Sequence, residues 1–197
     1  MLLGRRTPVT TLLLVSIWAL FVVETFQGGS TSERTLVELG ANVPQLVLAG
    51  QYWRLVASMF LHIGLVHLLV NSWALYQLGS LFEILLGSFS LVVVYFLSGI
   101  AGSVASVLFI RADLSAGASG AIFGVMGALI SFLLKRREML TPQARSLLMQ
   151  LLLWAGINVF LGFSIPGIDN AAHLGGAAAG FVLGLGVRPR FRPAAEY

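Results

Sequence analysis

Six runs of mostly apolar residues constrain the fold of this chain more than any other feature of its sequence. A helix that crosses a bilayer needs about 20 predominantly apolar residues. Hydrophobic residues make up 57% of the 197 residues and charged residues only 10%, whereas a soluble domain is about 25% charged. We therefore predict an all-α integral membrane protein, a compact six-transmembrane-helix bundle that forms a single domain over residues 1–197. The predicted spans are roughly 9–26, 63–86, 88–110, 115–134, 146–164 and 171–187.

The lysine and arginine residues predict which side of the membrane each connection faces. Cytoplasmic connections carry an excess of these residues. With six spans, nine of the twelve basic residues fall on one side, and we predict that this side, with both termini, is cytoplasmic. The nine are Arg5, Arg6, Lys135, Arg136, Arg137, Arg145, Arg188, Arg190 and Arg192. The three on the external side are Arg34, Arg54 and Arg111.

The connection between the first and second spans is too apolar for a solvated loop. Thr35 and Glu38 fit a capping box that opens a short helix. Tyr52 and Trp53 are residues typical of the headgroup layer, so we expect a partly membrane-embedded first external loop. Arg54 either hydrogen-bonds to loop carbonyls or contacts lipid phosphate, and the sequence leaves both open.

The second span carries polar side chains that are costly to keep inside a bilayer. His67 and Asn71 are four residues apart and share one helix face. His62 lies five residues before His67 and is expected in the loop that leads into the helix. His67 and Asn71 either bridge neighbouring helices by hydrogen bonds or serve chemistry, and their spacing alone is compatible with both.

Three further polar residues in the spans are expected to have no catalytic role. Glu83 lies near the cytoplasmic end of the second span, where a structural or a snorkelling role is expected. It lies between Gly79 and Gly87, whose small size allows close helix contact around the carboxyl group. Asn158 in the fifth span is predicted to contact a neighbouring helix. Glu24, at the external end of the first span, is expected to need no special explanation.

Glycines in the fourth and sixth spans predict that these two helices pack closely, because small residues let two backbones approach. This approach would bring Ser119 of the fourth span towards His173 of the sixth. Ser119 is expected about five residues into its helix, roughly 8 Å below the outer surface at 1.5 Å per residue. The glycines are Gly117, Gly120, Gly124 and Gly127 in the fourth span, and Gly176, Gly180 and Gly184 in the sixth.

Ser119 and His173 are a candidate nucleophile and base. A serine hydroxyl becomes a nucleophile when a base takes its proton, and a neutral histidine can do this and return the proton to a leaving amine. No carboxylate is well placed to orient the histidine, so we expect a dyad in which Phe123 packs on the imidazole. Attack on an amide creates an oxyanion that needs donors. The Asn71 amide, a His67 ring N–H and the Ser119 backbone N–H are the candidates.

Other functions are disfavoured by the residues present. The chain has no cysteine and no His-Glu-x-x-His motif, so we expect no metal and no cofactor. The run Gly117-Ala-Ser-Gly-Ala is not the Gly-x-Ser-x-Gly elbow of soluble hydrolases. A polar cluster near one membrane face argues against a transporter, whose site lies at the midplane. The basic residues form small clusters between apolar runs, so nucleic-acid binding is not expected.

These motifs together resemble the rhomboid intramembrane serine proteases over about residues 40–187. Six predicted spans match the minimal form of that family. One position departs from a common family pattern, because a tyrosine often packs on the catalytic histidine where this chain has Phe123; ring stacking is kept and the hydroxyl is lost. The motifs are Trp53-Arg54, His62-x4-His67-x3-Asn71, Gly79-x3-Glu83-x3-Gly87, Gly117-x-Ser119-Gly120 and Ala172-His173-x-Gly175-Gly176.

The resemblance implies an intramembrane serine endopeptidase that cleaves single-pass transmembrane proteins near the outer membrane face. It implies Ser119 as nucleophile, His173 as general base, and His67 and Asn71 at the oxyanion. The expected partners are these substrates and the lipid bilayer. Structural roles are implied for His62, Trp53, Arg54, Glu83, Gly117, Gly120 and Gly176.

The resemblance also implies how a substrate reaches the site and where the protein resides. Access is expected at the fifth span or at the Gly162–Asn170 loop. The alternative function is that of a catalytically inactive relative that binds membrane clients, although such relatives usually lack the serine or the histidine. No appended domain is expected, which fits a bacterial cell (inner) membrane.

Overall fold

The computed structural model describes residues 7–109, 114–165 and 167–190, and the regular elements in these segments are helices. Five residues used in the predictions above, Arg5, Arg6, Ile110, Arg111 and Arg192, lie outside the described residues. The helices are α1 (Pro8–Phe26), α2 (Glu33–Leu39), α3 (Pro44–Leu48), α4 (Arg54–Ala57), α5 (Leu65–Leu86), α6 (Ser88–Phe109), α7 (Ser119–Leu134), α8 (Pro142–Ser164) and α9 (Asn170–Gly186). Short 3₁₀ turns cover Ser58–Phe60 and Arg137–Met139.

The long helices correspond to the predicted spans. By length and composition, α1, α6 and α8 can each cross a membrane. A fourth candidate combines Arg54–Phe60 with α5 as one span that is bent by 93°, and α7 is apolar but only 16 residues long. The all-α membrane fold class predicted from the sequence is confirmed, and the arrangement is consistent with six helices.

The fourth span starts later than predicted. Gly117 has a positive φ of +141°, which ends any helical path, and Ser115 pairs in an antiparallel bridge with Asn42 of the first external loop. Ser119 is therefore the first residue of α7, and the predicted position five residues inside the helix is wrong. The fifth helix starts earlier than predicted because Thr141 caps it and Pro142 occupies its first position.

One local prediction is wrong, and another gains no support from the described hydrogen bonds. The helix in the first external loop begins at Glu33, and its cap is Ser32, whose hydroxyl accepts a hydrogen bond from the Thr35 N–H; the predicted capping box would have begun three residues later. The described hydrogen bond of the Asn158 side chain lies within α8, where its Nδ2 donates to the Trp154 carbonyl one turn earlier, so it does not support the predicted contact with a neighbouring helix. Polar residues near helix backbone often bond locally in this way.

Helix α7 forms the centre of the bundle. Fourteen of its sixteen residues, from Gly120 to Leu133, are buried, so the other helices surround it. Helix α9 lies directly against it, because Gly176 faces the Gly120 carbonyl and Gly180 faces the Gly124 backbone. In contrast, only two of the 23 residues of α8 are buried, which places α8 at the periphery.

Glu83 joins α1 to α5 at the end of the bundle opposite Ser119. Its side chain is fully buried, and its two oxygens accept hydrogen bonds at 2.7–3.0 Å from four groups. The donors are the Val9 and Thr10 N–H groups and the hydroxyls of Thr10 and Ser88. A buried carboxylate with its acceptors filled is stable in the membrane, and these contacts support a structural role.

Candidate active site

The structure brings the serine of α7 and the histidine of α9 together. Ser119 Oγ lies 2.9 Å from His173 Nε2, which is hydrogen-bond distance. His173 is the fourth residue of α9 and only 8% of its surface is exposed. The close contact follows from the glycine packing, because a side chain at Gly176 or Gly120 would push the α9 backbone away from α7.

Phe123 holds the imidazole plane. Its ring stacks on the His173 ring with centroids 4.2 Å apart and planes within 5° of parallel. Phe123 lies one helical turn after Ser119, so one face of α7 presents both the hydroxyl and the ring. His173 Nδ1 is buried and has no hydrogen-bond partner among the described residues. Packing against the Phe123 ring therefore orients His173, in place of a hydrogen bond to Nδ1.

Asp169 fixes the start of the helix that carries His173. Its Oδ1 accepts a hydrogen bond of 2.8 Å from the Ala172 N–H, so it is the N-cap of α9. As the N-cap, this carboxylate lies immediately outside the helix. It sets the backbone around His173 and makes no hydrogen bond to the imidazole that the structure describes.

His67 lies against the segment that leads into Ser119. A Cβ atom at Gly117 would come within 2.6 Å of His67 Cε1, so a glycine is required for the ring to approach the backbone here. The Asn71 side chain, one turn further along α5, is buried, and its Nδ2 donates to the His67 carbonyl at 3.0 Å. An amide nitrogen carries two N–H groups, and this bond uses one of them.

Trp53 and Arg54 organise the segment between α1 and α5. The Arg54 Nη1 donates to the carbonyls of Val37 (2.7 Å) and Ala41 (3.1 Å), and its guanidinium lies 4.7 Å from the centre of the Trp53 ring. A guanidinium remains charged in proteins, so these carbonyl oxygens are acceptors for a buried charge. The Trp53 ring fits over Gly40 at the end of α2, where a Cβ would clash with it.

Two residues near the site were missed by the sequence reasoning. Asn42 exchanges two backbone hydrogen bonds with Ser115, and its Nδ2 donates to the Ser103 carbonyl of α6, so it ties the loop to the segment before Ser119. Glu24 is fully buried and accepts a hydrogen bond from the His62 N–H; the expectation that it needs no explanation is wrong. Nothing marks Asn42 in the sequence, whereas an acidic residue in an apolar span was itself a signal.

Comparison with known proteins places the chain in a family. A model described as the rhomboid domain matches residues 49–190. Rhomboid protease GluP of Bacillus subtilis (strain 168) is 39% identical over 178 residues, covering 90% of this chain and 34% of that protein. RHOMBOID-like protein 4 of Arabidopsis thaliana is 38% identical over 154 residues, covering 77% of this chain and 39% of that protein.

A relative named as inactive also matches. Inactive RHOMBOID-like protein 8 of Arabidopsis thaliana is 38% identical over 126 residues, covering 64% of this chain and 35% of that protein. The chain thus spans between a third and two fifths of the length of these three relatives. The family model covers most of the chain and the helices are those of a multi-pass membrane protein; this chain therefore belongs to the rhomboid intramembrane protease family.

Proposed function

We propose that this chain is a serine endopeptidase that cleaves transmembrane segments of other membrane proteins, with Ser119 as nucleophile and His173 as general base. The observation that carries the proposal is the 2.9 Å contact between Ser119 Oγ and His173 Nε2, in a partly buried setting between α7 and α9. Family membership supports transmembrane substrates in general. Cleavage of single-pass proteins near the outer membrane face is the finer part of the proposal.

The proton path follows from the ring geometry. For Nε2 to accept the Ser119 proton, the neutral imidazole must carry its own hydrogen on Nδ1. The serine oxygen then attacks the scissile carbonyl carbon as the proton moves to Nε2, and the resulting imidazolium returns that proton to the leaving amine. Phe123 keeps the ring plane fixed through both transfers, so the pair works without a third polar group.

The oxyanion would lie at the start of α7. The first N–H groups of a helix have no partner within the helix and lie at the positive end of its dipole, and Ser119 is the first residue of α7. We assign the Ser119 backbone N–H, the second N–H of the Asn71 amide and a ring N–H of His67 as donors. The packing of His67 on Gly117 supports this, since it keeps the imidazole beside the nucleophile.

The fold also suggests which substrates are cleaved. An amide within a helix cannot reach a nucleophile until that helix unwinds, so transmembrane segments with helix-weakening residues near their outer end are the expected substrates. Access is proposed at α8, which lies at the periphery of the bundle, or at the short connection between α8 and α9. With both termini cytoplasmic, the site faces the external side, and we propose a bacterial cell membrane as the location.

Cleavage of a transmembrane reporter in liposomes tests the proposal. Ser119→Ala should reduce turnover by about a thousand-fold or more, because the nucleophile is lost. Ser131→Ala is the matched control, since Ser131 is a buried serine of the same helix whose hydroxyl donates to the Ala128 carbonyl; its turnover should stay within about two-fold. Equal cleavage by wild type and Ser119→Ala would reject Ser119 as the nucleophile.

The same experiment tests the rival function. A protein that only binds membrane clients would not cleave the reporter in any form and would not react covalently with a fluorophosphonate. Labelling of wild type, with none in Ser119→Ala, supports an activated serine even when the chosen reporter is a poor substrate. Absence of both labelling and cleavage would favour the inactive, client-binding alternative.

A further inference from the structure

Glu24 is buried near the outer end of α1 and has no place in the mechanism above. Its side chain is 0% exposed. Oε1 accepts a hydrogen bond of 3.0 Å from the His62 backbone N–H, while Oε2 is buried without a partner among the residues that the structure describes. Burying a carboxyl group with one oxygen unsatisfied costs free energy. The hydrogen bond between Glu24 Oε1 and the His62 N–H therefore needs a function that explains why this cost is kept.

That bond holds the bend between the first external loop and α5. His62 lies after the Ser58–Phe60 turn and before α5, where the chain direction changes by 93°. Its backbone N–H is outside any helix, and its ring Nδ1 is 3.3 Å from the Phe60 carbonyl. Glu24 therefore supplies, from another helix, the acceptor for a backbone N–H that a turn leaves unpaired.

The bend is in direct contact with the proposed oxyanion histidine. The ring centres of His62 and His67 are 5.2 Å apart with the planes tilted by 58°. On its other side, His67 packs on Gly117, two residues before Ser119. A continuous series of contacts thus runs from Glu24 through His62 and His67 to the segment that begins α7.

We propose that Glu24 is a positioning residue for His67: its Oε1 anchors the backbone at His62, and the His62 ring in turn fixes the His67 ring beside Gly117. The part of this proposal that concerns turnover rests on the proposed protease function. Because the anchor is a hydrogen bond to a carbonyl-type oxygen, the negative charge is not required. Glutamine, which keeps an oxygen at the same distance from the backbone, fulfils the role, and methionine, which has similar length and no oxygen, does not.

Ring signals of ¹⁵N-labelled histidine test the positioning without any substrate. The chain has only three histidines, so NMR spectra of the full chain in micelles resolve His62, His67 and His173 separately. Glu24→Met should shift the ring signals of His62 and His67 and leave those of His173 in place, and Glu24→Gln should leave all three unchanged. Unshifted His67 signals in Glu24→Met, or equal shifts at all three histidines, would overturn the proposal.

Turnover of the transmembrane reporter provides the second readout. Glu24→Met should lower kcat at least about ten-fold with KM unchanged, because a misplaced donor is lost only from the transition state, and Glu24→Gln should remain within two-fold. Glu38→Met, at an exposed carboxylate on α2, is the control and should match wild type. A kcat for Glu24→Gln as low as that of Glu24→Met would contradict an anchor that needs no charge.

The two proposals fail in different ways. If wild type cleaves nothing, the protease function is in doubt, but the NMR arm still decides whether Glu24 positions His67. If Glu24→Met does not fold, hydrogen exchange in wild type decides: the His62 amide should be protected as well as amides within α5, and rapid exchange would show that the Glu24 bond is absent.

Discussion

Helices α8 and α9 both pack on α7, but through surfaces of opposite character. Helix α9 places Gly176 and Gly180 directly on the α7 backbone, so the two main chains are in contact. Helix α8 fully buries only Leu148 and Leu151; a few more of its apolar side chains are partly buried against the core, and many others are exposed. Lipid tails are as apolar as these side chains, so no hydrophobic force drives α8 onto the bundle. The comparison shows that one helix is held by backbone contact and the other by a few side chains.

Because of this difference, the proposed catalytic residues lie in a rigid interface and the proposed access route lies at a loosely packed helix. Ser119 and His173 belong to α7 and α9, whose distance cannot change without breaking backbone contacts. Substrate entry requires an element that can move, and of the long helices α8 has the fewest buried residues.

The largest effect is expected at Gly180. A Cβ atom there would overlap the backbone of Gly124, and backbone cannot move aside as a flexible side chain can. Gly180→Val should therefore destabilise the fold by about 3 kcal/mol or more, and labelling of Ser119 by a fluorophosphonate should be lost with it. The measurement is the unfolding midpoint in detergent micelles.

Gly156→Val is the matched control for Gly180→Val, because Gly156 lies in α8 and a Cβ there would meet no described atom within 4 Å beyond its chain neighbours and its own helix backbone. The shift of its unfolding midpoint should correspond to a change in the free energy of unfolding of at most about 0.5 kcal/mol. Similar losses at both glycines would show that valine disturbs any helix of this protein. The proposed difference in packing between the α7–α9 and α7–α8 interfaces would then be rejected.

The glycine contacts explain how much of the site could be predicted from the sequence. The stripe of Gly176, Gly180 and Gly184 pointed to close packing on the fourth span, and the structure brings His173 to Ser119 and Phe123. Such glycine patterns are local and periodic, so they can be recognised in a single sequence. The fold class followed from apolar length for the same reason.

The features of the site that could not be predicted are contacts between residues that are far apart in the sequence. Glu24 and His62 are 38 residues apart and Asn42 and Ser103 are 61 residues apart, and no spacing rule relates them. The start of α7 was misplaced because the pairing of Asn42 with Ser115 keeps that segment extended. The capping box at Thr35 failed because Ser32 competed for the same helix end, and end positions are the least certain part of a helix prediction.

A second prediction concerns the contact that holds α8 to α5. The rings of Trp73 and Trp154 meet edge to face with centres 6.2 Å apart, an arrangement worth about 0.5–1.5 kcal/mol. If α8 must move for a substrate to enter, Trp154→Ala should raise the rate of reporter cleavage about two- to ten-fold, since it removes a contact of the closed state only. The unfolding midpoint should change far less than in Gly180→Val.

Trp18→Ala distinguishes gating from a general loosening of the bundle. Trp18 is a partly exposed tryptophan of α1 that also contacts α5, through a hydrogen bond of 3.0 Å from its Nε1 to Ser72 Oγ. Its removal should leave the cleavage rate unchanged or lower. An equal increase in both variants would assign the effect to α5, and a decrease in Trp154→Ala would remove α8 as the access route.

The smallest effect is expected at the hydrogen bond that links α8 to α9. Asn170 Nδ2 donates to the Val159 carbonyl at 3.3 Å, and a single bond of this kind contributes about 1 kcal/mol. Asn170→Ala should therefore speed hydrogen exchange at the outer end of α8 about five-fold. Asn158→Ala is the matched control, because its amide bonds within α8 and cannot uncouple the helices. If the Asn158 variant loosens the outer end as much as the Asn170 variant, then α8 is limited by its own stability, and the bond to α9 does not restrain it.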